Sequence, residues 1–327
     1  MPTNLTADRV APSRTYESPK RVVSLIASAT EIVCALGRRE WLVGRSHECD
    51  YPADVLQLPQ LTEAKFKVEG SSAEIDRCVQ EIVRDGLSVY RVHGDALREL
   101  APDVIVTQDH CEVCAVSLSD VEAATCTWTG HQVDIVSLKP DSTADVYRDI
   151  QRVAAALNSA SAGERLIADI QRRLDAVSAQ VAGRPRPRVA FIEWVEPLMA
   201  GGNWMPELVN MAGGDNLFGE AGKHSDWMQW VDLVAASPDV IVVAPCGYDL
   251  DRCVQELPLL EAKPGWRDLQ AVRAGHVYFA DGNAYFNRPG PRLAESAEIM
   301  AEMIHPEAVQ PRHQWSAWVD LQAASAP

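Results

Sequence analysis

The chain has little positive charge and no long apolar run. Its 327 residues include 30 lysines and arginines against 46 aspartates and glutamates, which gives a formal net charge of −16 at pH 7. Such a surface repels phosphate backbones, so we expect no nucleic acid partner. No segment approaches the roughly 20 apolar residues that cross a bilayer, so we also expect no membrane insertion.

The N-terminal segment lacks the pattern of a secretion signal. Met1–Lys20 contains no apolar run of roughly 7–15 residues after a basic start. No cysteine of the lipid-attachment type follows it. We therefore expect a cytoplasmic protein, in which the eight cysteines are reduced thiols rather than disulfides.

Several catalytic signatures are also missing from the sequence. It contains no Gly-x-Ser-x-Gly nucleophile elbow, no Gly-x-x-x-x-Gly-Lys-Ser/Thr phosphate loop and no His-Glu-x-x-His metal-binding helix. Gly201 and Gly202 form too short a glycine run to predict a phosphate cradle. The sequence thus favours a binding protein over an enzyme.

Strands and helices alternate along both halves of the sequence. Arg21–Ile26 is a short run rich in β-branched residues, typical of a buried strand, and Trp41–Arg45 has the same character. Amphipathic segments such as Ala73–Arg84 separate these runs. The alternation predicts an α/β fold with largely parallel sheets.

The start of the first helix carries a local signal. Ser28 and Glu31 have the spacing of a capping box, in which a hydroxyl and a carboxylate each satisfy a free amide. The pattern predicts a helix over Glu31–Leu36 that ends at Gly37.

A helix, a Pro-Asp turn and a β-branched strand occur once in each half. Leu97–Thr107 reads LRELAPDVIVT, and Leu233–Ala244 reads LVAASPDVIVVA. Between them, apolar residues recur at helical spacing over Ser142–Val181, which predicts a nearly continuous helix. We therefore expect two similar Rossmann-like lobes joined by one long helix.

These patterns also set the expected domain boundaries. Residues 1–19 are predicted to be a disordered or extended tail, and residues 20–140 the N-terminal lobe. Residues 141–182 form the linking helix, residues 183–310 the C-terminal lobe, and residues 311–327 a C-terminal tail.

The order of these segments resembles the helical-backbone, or class III, substrate-binding proteins of ABC transporters. Arg21–Gly37 (RVVSLIASATEIVCALG) is similar to the opening strand and helix of the cobalamin-binding members. Gly201–Gly214 (GGNWMPELVNMAGG) is similar to the start of their second lobe. The likeness covers roughly residues 20–305, and it implies a periplasmic-binding-protein-like fold.

Two loops resemble a narrower subgroup, proteins without a secretion signal that are named cobalamin-binding. The loops are Ser46–Pro52 (SHECDYP) and Thr107–Ser117 (TQDHCEVCAVS). The resemblance implies a small-molecule ligand, cobalamin or a related corrinoid or tetrapyrrole, in the cleft between the lobes.

Ligands of open α/β sheets bind beyond the carboxyl ends of the strands. The loops at those ends carry aromatic side chains that suit a broad, flat ligand. The side chains that we expect to contact it are Ser28, Thr30, His47, Glu48, Gln108, Asp109, His110, Glu193, Trp194, Asn203, Trp204, Tyr248 and Tyr285.

Cysteines in two of these loops have metal-ligand spacing. Cys111-x-x-Cys114 follows His110, while His47 and Cys49 lie in the other loop. Zinc accepts Cys and His ligands, so convergence of the loops would form a site for zinc or iron. Alternatives are a redox pair, a ligand to the cobalt of a corrinoid, and buried thiols that support the loops. The sequence leaves all four open.

Exported members of the resembled family dock arginines of a membrane permease through one carboxylate on each lobe. Glu207 falls on the second-lobe position, and Glu63, Glu69 and Glu74 are candidates for the first. The alternative interpretation of Glu207 is an acid in the first turn of a helix, where the helix dipole favours negative charge.

Three functions therefore compete. The first is a cobalamin or corrinoid binder that closes its two lobes on the ligand. The second is a metal- or thiol-dependent cytoplasmic enzyme on the same fold, using His47, Cys49 and the Cys111-x-x-Cys114 loop. The third is a sensor or carrier that hands its ligand on. Expected partners are an ABC permease or a cytoplasmic acceptor protein, and we expect a monomer or weak dimer.

Overall fold

The first lobe is an α/β unit, as predicted. The computed structural model describes residues 19–66, 70–84, 89–109, 118–125 and 133–326. The elements of the lobe are β1 (Val22–Ser24), α1 (Ala27–Ala35), β2 (Leu42–Arg45), β3 (Thr62–Ala64), α2 (Ser72–Arg84), β4 (Tyr90–Val92), α3 (Gly94–Glu99), β5 (Val104–Gln108), α4 (Leu118–Thr125) and β6 (Asp134–Leu138).

Its main sheet has the order β2-β1-β5-β6, and all neighbouring strands are parallel. Val22, Val23 and Ile105 are completely buried, as expected of β-branched strands that are covered on both faces. β3 and β4 form a separate antiparallel pair. α4 ends at Thr125 and β6 begins at Asp134, and residues 126–132 between them lie outside the described ranges.

Two helices lead into the second lobe. They are α5 (Thr143–Ala156) and α6 (Ala160–Val181). The elements that follow are β7 (Arg188–Trp194), β8 (Met199–Ala200), α7 (Met205–Met211), β9 (Asp215–Asn216), α8 (Trp230–Ala236), β10 (Val240–Val243), α9 (Leu250–Val254), α10 (Leu257–Glu261), α11 (Gln270–Ala274), β11 (Val277–Ala280), α12 (Leu293–Ile304), β12 (Trp318–Asp320) and α13 (Leu321–Ala324).

The prediction of a nearly continuous linking helix was wrong in one respect. The helix breaks over residues 157–159, where Asn158 adopts a positive φ of 50°. A Cβ on Gly163 would lie 2.7 Å from the Cβ of Ala154, so this glycine lets α6 pack closely against α5. The linker is therefore two packed helices, of which α6, with 22 residues, is the long one.

The Pro-Asp repeat has the same structure in both lobes. Asp103 accepts a hydrogen bond from the backbone N–H of Arg21 at 2.7 Å, and Asp239 accepts one from Arg188 at 2.8 Å. Arg21 directly precedes β1, and Arg188 is the first residue of β7. The side chain of Arg21 donates to the backbone carbonyl of Leu100, just after α3, and that of Arg188 donates to the carbonyl of Ala236, the last residue of α8. The two halves of the chain thus repeat down to single hydrogen bonds.

The second sheet includes residues that we predicted to be a tail. Its order is β12-β11-β10-β7-β8, with β9 also pairing with β7. β12 runs antiparallel to β11, and Trp318 is only 3% exposed. The prediction of a tail over residues 311–327 was therefore wrong, because this segment supplies an edge strand. None of the helices in the described ranges has the length and apolar character to cross a membrane.

One buried carboxylate fastens that C-terminal segment. Glu302, 2% exposed, accepts hydrogen bonds from the His313 ring at 2.8 Å, from the Trp318 indole at 2.8 Å and from the Arg312 backbone at 2.9 Å. Burial opposes ionisation of Glu302, but the bonds from His313 and Trp318 outweigh it and lower the pKa of the carboxyl. The bond to Glu302 raises the pKa of His313.

We expect the stabilisation by His313 to be larger at pH 6 than at pH 9. A raised folded-state pKa gives a contribution that is complete below the unfolded value of about 6.5 and is lost as the pH rises through the folded value. Replacing His313→Ala should lower the free energy of unfolding by about 1–3 kcal/mol at pH 6. Urea unfolding at both pH values measures the difference.

The control is His276→Ala, which removes an exposed histidine side chain from the same lobe. It should cost less than His313→Ala at pH 6, because its side chain is exposed. An equal loss at pH 6 and pH 9 for His313→Ala would contradict a stabilising charge on the imidazole.

Candidate functional site between the lobes

The loops that follow the parallel strands of the two lobes face each other. Such loops form the ligand-binding edge of α/β sheets. Asp50, in the loop after β2, receives a hydrogen bond from Arg288 Nη2 at 2.9 Å, and Asn283 Nδ2 lies 3.4 Å from the same carboxylate oxygen. Arg288 and Asn283 follow β11. The candidate site is therefore the boundary between the lobes at this edge.

Four charged side chains form an inter-lobe ion cluster there, namely Glu31, Asp50, Arg288 and Arg292. Glu31 lies on α1 and is 3% exposed. Arg292 donates Nε to Glu31 Oε2 at 2.9 Å and Nη2 to Oε1 at 2.5 Å. Arg288 Nη1 lies 3.2 Å from Glu31 Oε1. The cluster contains equal numbers of both charges, and its pairs cross from one lobe to the other.

The same pairing sets the protonation of Asp50. Burial alone would raise the pKa of this carboxyl, but the hydrogen bonds and the charge of Arg288 outweigh it and hold the pKa below its usual value. The neighbouring carboxylates in turn raise the pKa of Arg288 against its burial. Both side chains are therefore charged at neutral pH.

Two aromatic rings contact the cluster at Arg292. The guanidinium of Arg292 lies 4.1 Å from the ring centre of Tyr51 and 5.2 Å from that of Tyr285. Tyr51 belongs to the first lobe and Tyr285 to the second. Cation–π attraction thus adds a second inter-lobe contact to the ion pairs of Arg292.

A separate group of residues joins the lobes at α2, and we call it the α2 contact. Its members are Gly70, Ser72 and Ile75 of the first lobe with Arg252 and Glu256 of the second. Ser72 Oγ donates to Glu256 Oε2 at 2.6 Å, and Arg252 bonds to the Gly70 carbonyl. Ile75 is 6% exposed and packs into the apolar core of the second lobe.

His47 lies partly exposed at the strand-end edge. Its Nδ1 lies 2.8 Å from Thr62 Oγ1, its ring is tilted against Tyr90 at 5.2 Å, and its Nε2 is 4.0 Å from Glu48 Oε1. Burial, assisted by the charge of Arg45, lowers the pKa of His47. The imidazole is therefore neutral at pH 7, which is the form that binds metals.

Trp194 and Tyr248 form an aromatic pair on the opposite lobe. Their ring centres are 5.2 Å apart, and Arg252 stacks on Tyr248 at 4.4 Å. Tyr248 is buried, whereas Trp194 is half-buried and donates its indole N–H to the Glu196 carbonyl at 3.1 Å. Trp194 is thus held in place with part of its ring surface accessible.

The sequence and the fold of the chain resemble those of known proteins. The profile of the family described as Periplasmic binding protein matches residues 22–284. The chain belongs to the periplasmic binding protein family. An uncharacterized ABC transporter substrate-binding lipoprotein of Bacillus subtilis (strain 168) is 24% identical over 300 residues, which are 89% of this chain and 82% of that protein.

Two further relatives of this binding-protein chain carry ligand names. A vitamin B12-binding protein of Vibrio parahaemolyticus is 22% identical over 297 residues, 90% of this chain and 92% of its own. A periplasmic heme-binding protein of Roseiflexus sp. RS-1 superposes with a TM-score of 0.65 at 22% identity, covering 89% of this chain and 100% of its own. The predicted family and fold class are confirmed.

Several predicted contact residues of the binding-protein fold lie in its interior. Ser28 and Thr30 are part of α1 and are 2% and 0% exposed, and Gln108 at the end of β5 is 3% exposed. The predicted capping box at Ser28 is wrong, because α1 begins at Ala27 and the Glu31 carboxylate bonds to Arg292 instead. These side chains are therefore part of the interior and not of an accessible surface.

The same holds for part of the second lobe. Trp204 is 6% exposed and donates its indole N–H to the Phe286 carbonyl, and Asn203 is 7% exposed at a φ of 53°. Glu193 is half-buried and accepts a hydrogen bond from Ser225 at 2.8 Å. Of the predicted ligand contacts, His47, Glu48, Trp194 and Tyr285 are half-buried, and Asp109 is exposed.

Cys49 is completely buried among hydroxyl groups. The Thr30 hydroxyl donates to its sulfur at 3.0 Å, and Ser46 Oγ lies 3.2 Å away. Burial raises the pKa of the Cys49 thiol, whereas metal binding needs the thiolate. This cysteine is positioned as a packing residue.

The other three predicted metal ligands, His110, Cys111 and Cys114, lie outside the described residues. Within the described ranges, no group of three His, Cys, Asp or Glu side chains is arranged to hold a metal ion. The expectation of zinc or iron at these loops therefore has no support from the part of the chain that is described.

Glu207, the predicted docking carboxylate, makes a contact within the fold. Its Oε2 accepts a hydrogen bond from the backbone N–H of Thr143 at 2.7 Å, at the first residue of α5. The first-lobe candidates also make contacts within the fold. Glu63 forms an ion pair with Arg91 at 2.9 Å, and Glu74 accepts a hydrogen bond from the backbone N–H of Ser71 at 2.8 Å. Glu69 lies outside the described residues.

Sequence reasoning missed Arg288 and Arg292, which carry the ion cluster. One signal was available. Arg292 directly precedes α12, a helix that is buried along most of its length, and cations are disfavoured near a helix N-terminus. A basic residue at that position indicates a carboxylate partner from elsewhere in the fold.

We expect Glu31→Gln to lower the free energy of unfolding by about 3–5 kcal/mol, because it leaves the charge of Arg292 buried without its carboxylate and leaves Arg288 with Asp50 alone. The matched control is Glu298→Gln, which removes an equally bidentate but partly exposed partner of Arg173. That pair should be worth less than about 1 kcal/mol. Guanidinium unfolding compares them, and similar losses for both variants would contradict a special role of the cluster.

We expect Cys49 and Cys253 to resist modification by Ellman's reagent in the folded protein. Both are 0% exposed, and burial raises the pKa of each thiol. Exposed Cys78 is the internal control and should react within minutes. Differential alkylation followed by peptide mass spectrometry resolves each thiol. Rapid labelling of Cys49 in native conditions would show that its loop opens.

Proposed function

We propose that the protein is a substrate-binding protein that takes cobalamin or a related corrinoid between its two lobes. The observation that carries the proposal is the part of the strand-end edge that stays accessible. There, Trp194 and His47 lie on opposite lobes, and each is held by a hydrogen bond. The Vibrio parahaemolyticus relative is named for binding vitamin B12, and the match covers 92% of its length. This name supports the corrinoid class.

The half-buried surface of Trp194 suits one flat face of such a ligand. An indole ring that is fixed by its N–H bond and by Tyr248 offers apolar area at low entropic cost. Large ring ligands bury most of their surface in a site of this kind and are oriented by few polar groups. His47 and Glu48, which lie 4.0 Å apart and are both half-buried, are the polar side chains that we propose for that task.

His47 is our candidate for the ligand of the corrinoid cobalt. Its lowered pKa keeps the imidazole neutral, and the contact of Nδ1 with Thr62 fixes the ring orientation. A hydrogen bond to the ring nitrogen that does not face the metal is typical of metal-binding histidines. Nε2 is then the ring nitrogen on the side of Glu48, and it is the atom that would approach the metal.

A partner that receives the ligand is part of the proposal. It is an ABC permease or a cytoplasmic acceptor protein, and Glu207 remains a docking candidate only if its bond to Thr143 is exchanged on docking. The cytoplasmic location likewise stays a proposal, which cell fractionation with an antibody tests directly.

The test is a titration of reduced protein with cyanocobalamin, aquocobalamin, cobinamide and hemin, followed by absorbance and calorimetry. We expect a Kd of about 1 μM or tighter for a corrinoid, equivalent to about −8 kcal/mol. Hemin is included because a structural relative is named for heme. Tight binding of hemin alone would replace the corrinoid by a heme, and no binding of either would refute the proposal.

His47→Ala should abolish the spectral shift of aquocobalamin and weaken its binding at least tenfold, while cyanocobalamin changes less because cyanide occupies the cobalt. Trp194→Ala should weaken both corrinoids alike. His276→Ala and Trp315→Ala, at exposed side chains outside the strand-end loops, are the matched controls. An unchanged spectrum in His47→Ala would exclude this side chain as the cobalt ligand.

A further inference from the structure

The ion cluster and the α2 contact differ in the apolar residues that surround them. The ion cluster adjoins an apolar core that is continuous through both lobes, because Ile32 of α1, Ile150 of α5, Leu174 of α6 and Leu293 of α12 belong to one buried cluster. Arg292 immediately precedes α12 and Glu31 lies on α1. The cluster is thus fastened where the lobes already share their interior.

The α2 contact has weaker apolar support. Ile75 is the first-lobe residue that is buried within the core cluster of the second lobe, and Phe66 and Val79, which pack against the same cluster, are only partly buried. The polar part is one hydroxyl, Ser72 Oγ, and one carbonyl, that of Gly70. The first lobe therefore contributes only neutral groups to this contact.

The two contacts also differ in whether their charged side chains keep a partner when the lobes separate. If the α2 contact opens, Glu256 keeps Arg252 as its partner at 3.2 Å, and Arg252 keeps its stacking on Tyr248, because all three belong to the second lobe. If the ion cluster opens, the Glu31 carboxylate loses both Arg288 and Arg292, which lie on the other lobe. Opening at α2 leaves every charge paired, and opening at the cluster does not.

We propose that the lobes part at the α2 contact while the inter-lobe ion cluster stays closed and acts as the pivot. The α2 contact is then the gate of the strand-end edge, and Ser72 and Ile75 are the residues that hold it shut. The proposal rests on the proposed function only for what passes through the gate, since the motion itself is measurable without a ligand.

The experiment is hydrogen–deuterium exchange by mass spectrometry on the full chain, with small-angle scattering on the same samples. Ser72→Ala with Ile75→Ala should speed amide exchange at least tenfold in residues 71–79 and 249–256. It should leave residues 27–35 and 293–304 unchanged, and it should increase the radius of gyration. Ser72→Ala alone, which removes one hydroxyl, should give the same pattern more weakly and guards against misfolding of the double variant.

The matched pivot variant is Asp50→Asn, which keeps the shape of the side chain but removes its charge from the cluster. It should speed exchange on both sides of the boundary. Equal acceleration at α1, α2 and α12 in the double variant would overturn the proposal, because the lobes would then part as a whole. No acceleration at residues 71–79 would overturn it as well, because the α2 contact would not restrain the lobes.

Ligand kinetics separate this proposal from the proposed function. With aquocobalamin, the double variant should show faster association and faster dissociation, each at least threefold, because a gate changes both rates. If no corrinoid binds, the proposed function fails, while the exchange pattern still decides where the lobes open.

Discussion

The buried carboxylate of Glu31 is the group on which the arrangement of the two lobes depends. It lies on the first helix of the first lobe, and the cations that compensate its charge, Arg288 and Arg292, come from the second lobe. A buried carboxylate without its partners costs several kcal/mol, so the first lobe is stable in this form only when the second is docked against it. The course of the loop from β11 to α12 follows from the same need, because it must bring both guanidinium groups to one point.

This requirement explains why position at a strand end does not by itself make a residue a ligand contact. Thr30, Gln108 and Trp204 occupy the expected loops and helix starts, yet each is buried and serves the packing of the edge. A small number of side chains, such as His47 and Trp194, retain accessible surface while being fixed by hydrogen bonds. A rigid frame with few accessible groups is what a selective binding site needs, because ordering costs are met on folding rather than on binding.

The sequence predicted what is local and repeated. β-branched runs marked the parallel strands, and the Pro-Asp repeat marked the two lobes, because the same short segment of helix, turn and strand occurs in each half. It failed where a partner is distant. Ser28 and Glu31 satisfy the capping pattern, but a guanidinium 261 residues along the chain competes better for the carboxylate. The strand at Trp318 was missed because its three residues form no apolar run of their own and depend on the bond to Glu302 and on pairing with β11.

The contrast between His47 and Cys49 shows what decides the chemistry of the edge. The two residues are separated by one position, and both have side chains that bind metals. Cys49 points into a pocket of hydroxyls, where burial keeps the thiol protonated, whereas His47 keeps a neutral ring near the surface with one nitrogen fixed by Thr62. Spacing in the sequence cannot distinguish these orientations, because a loop has no fixed periodicity. The local fold leaves the imidazole half-buried at the edge and the thiol in the core, so the proposed function needs only a single nitrogen donor here, which suits the metal centre of a tetrapyrrole ring.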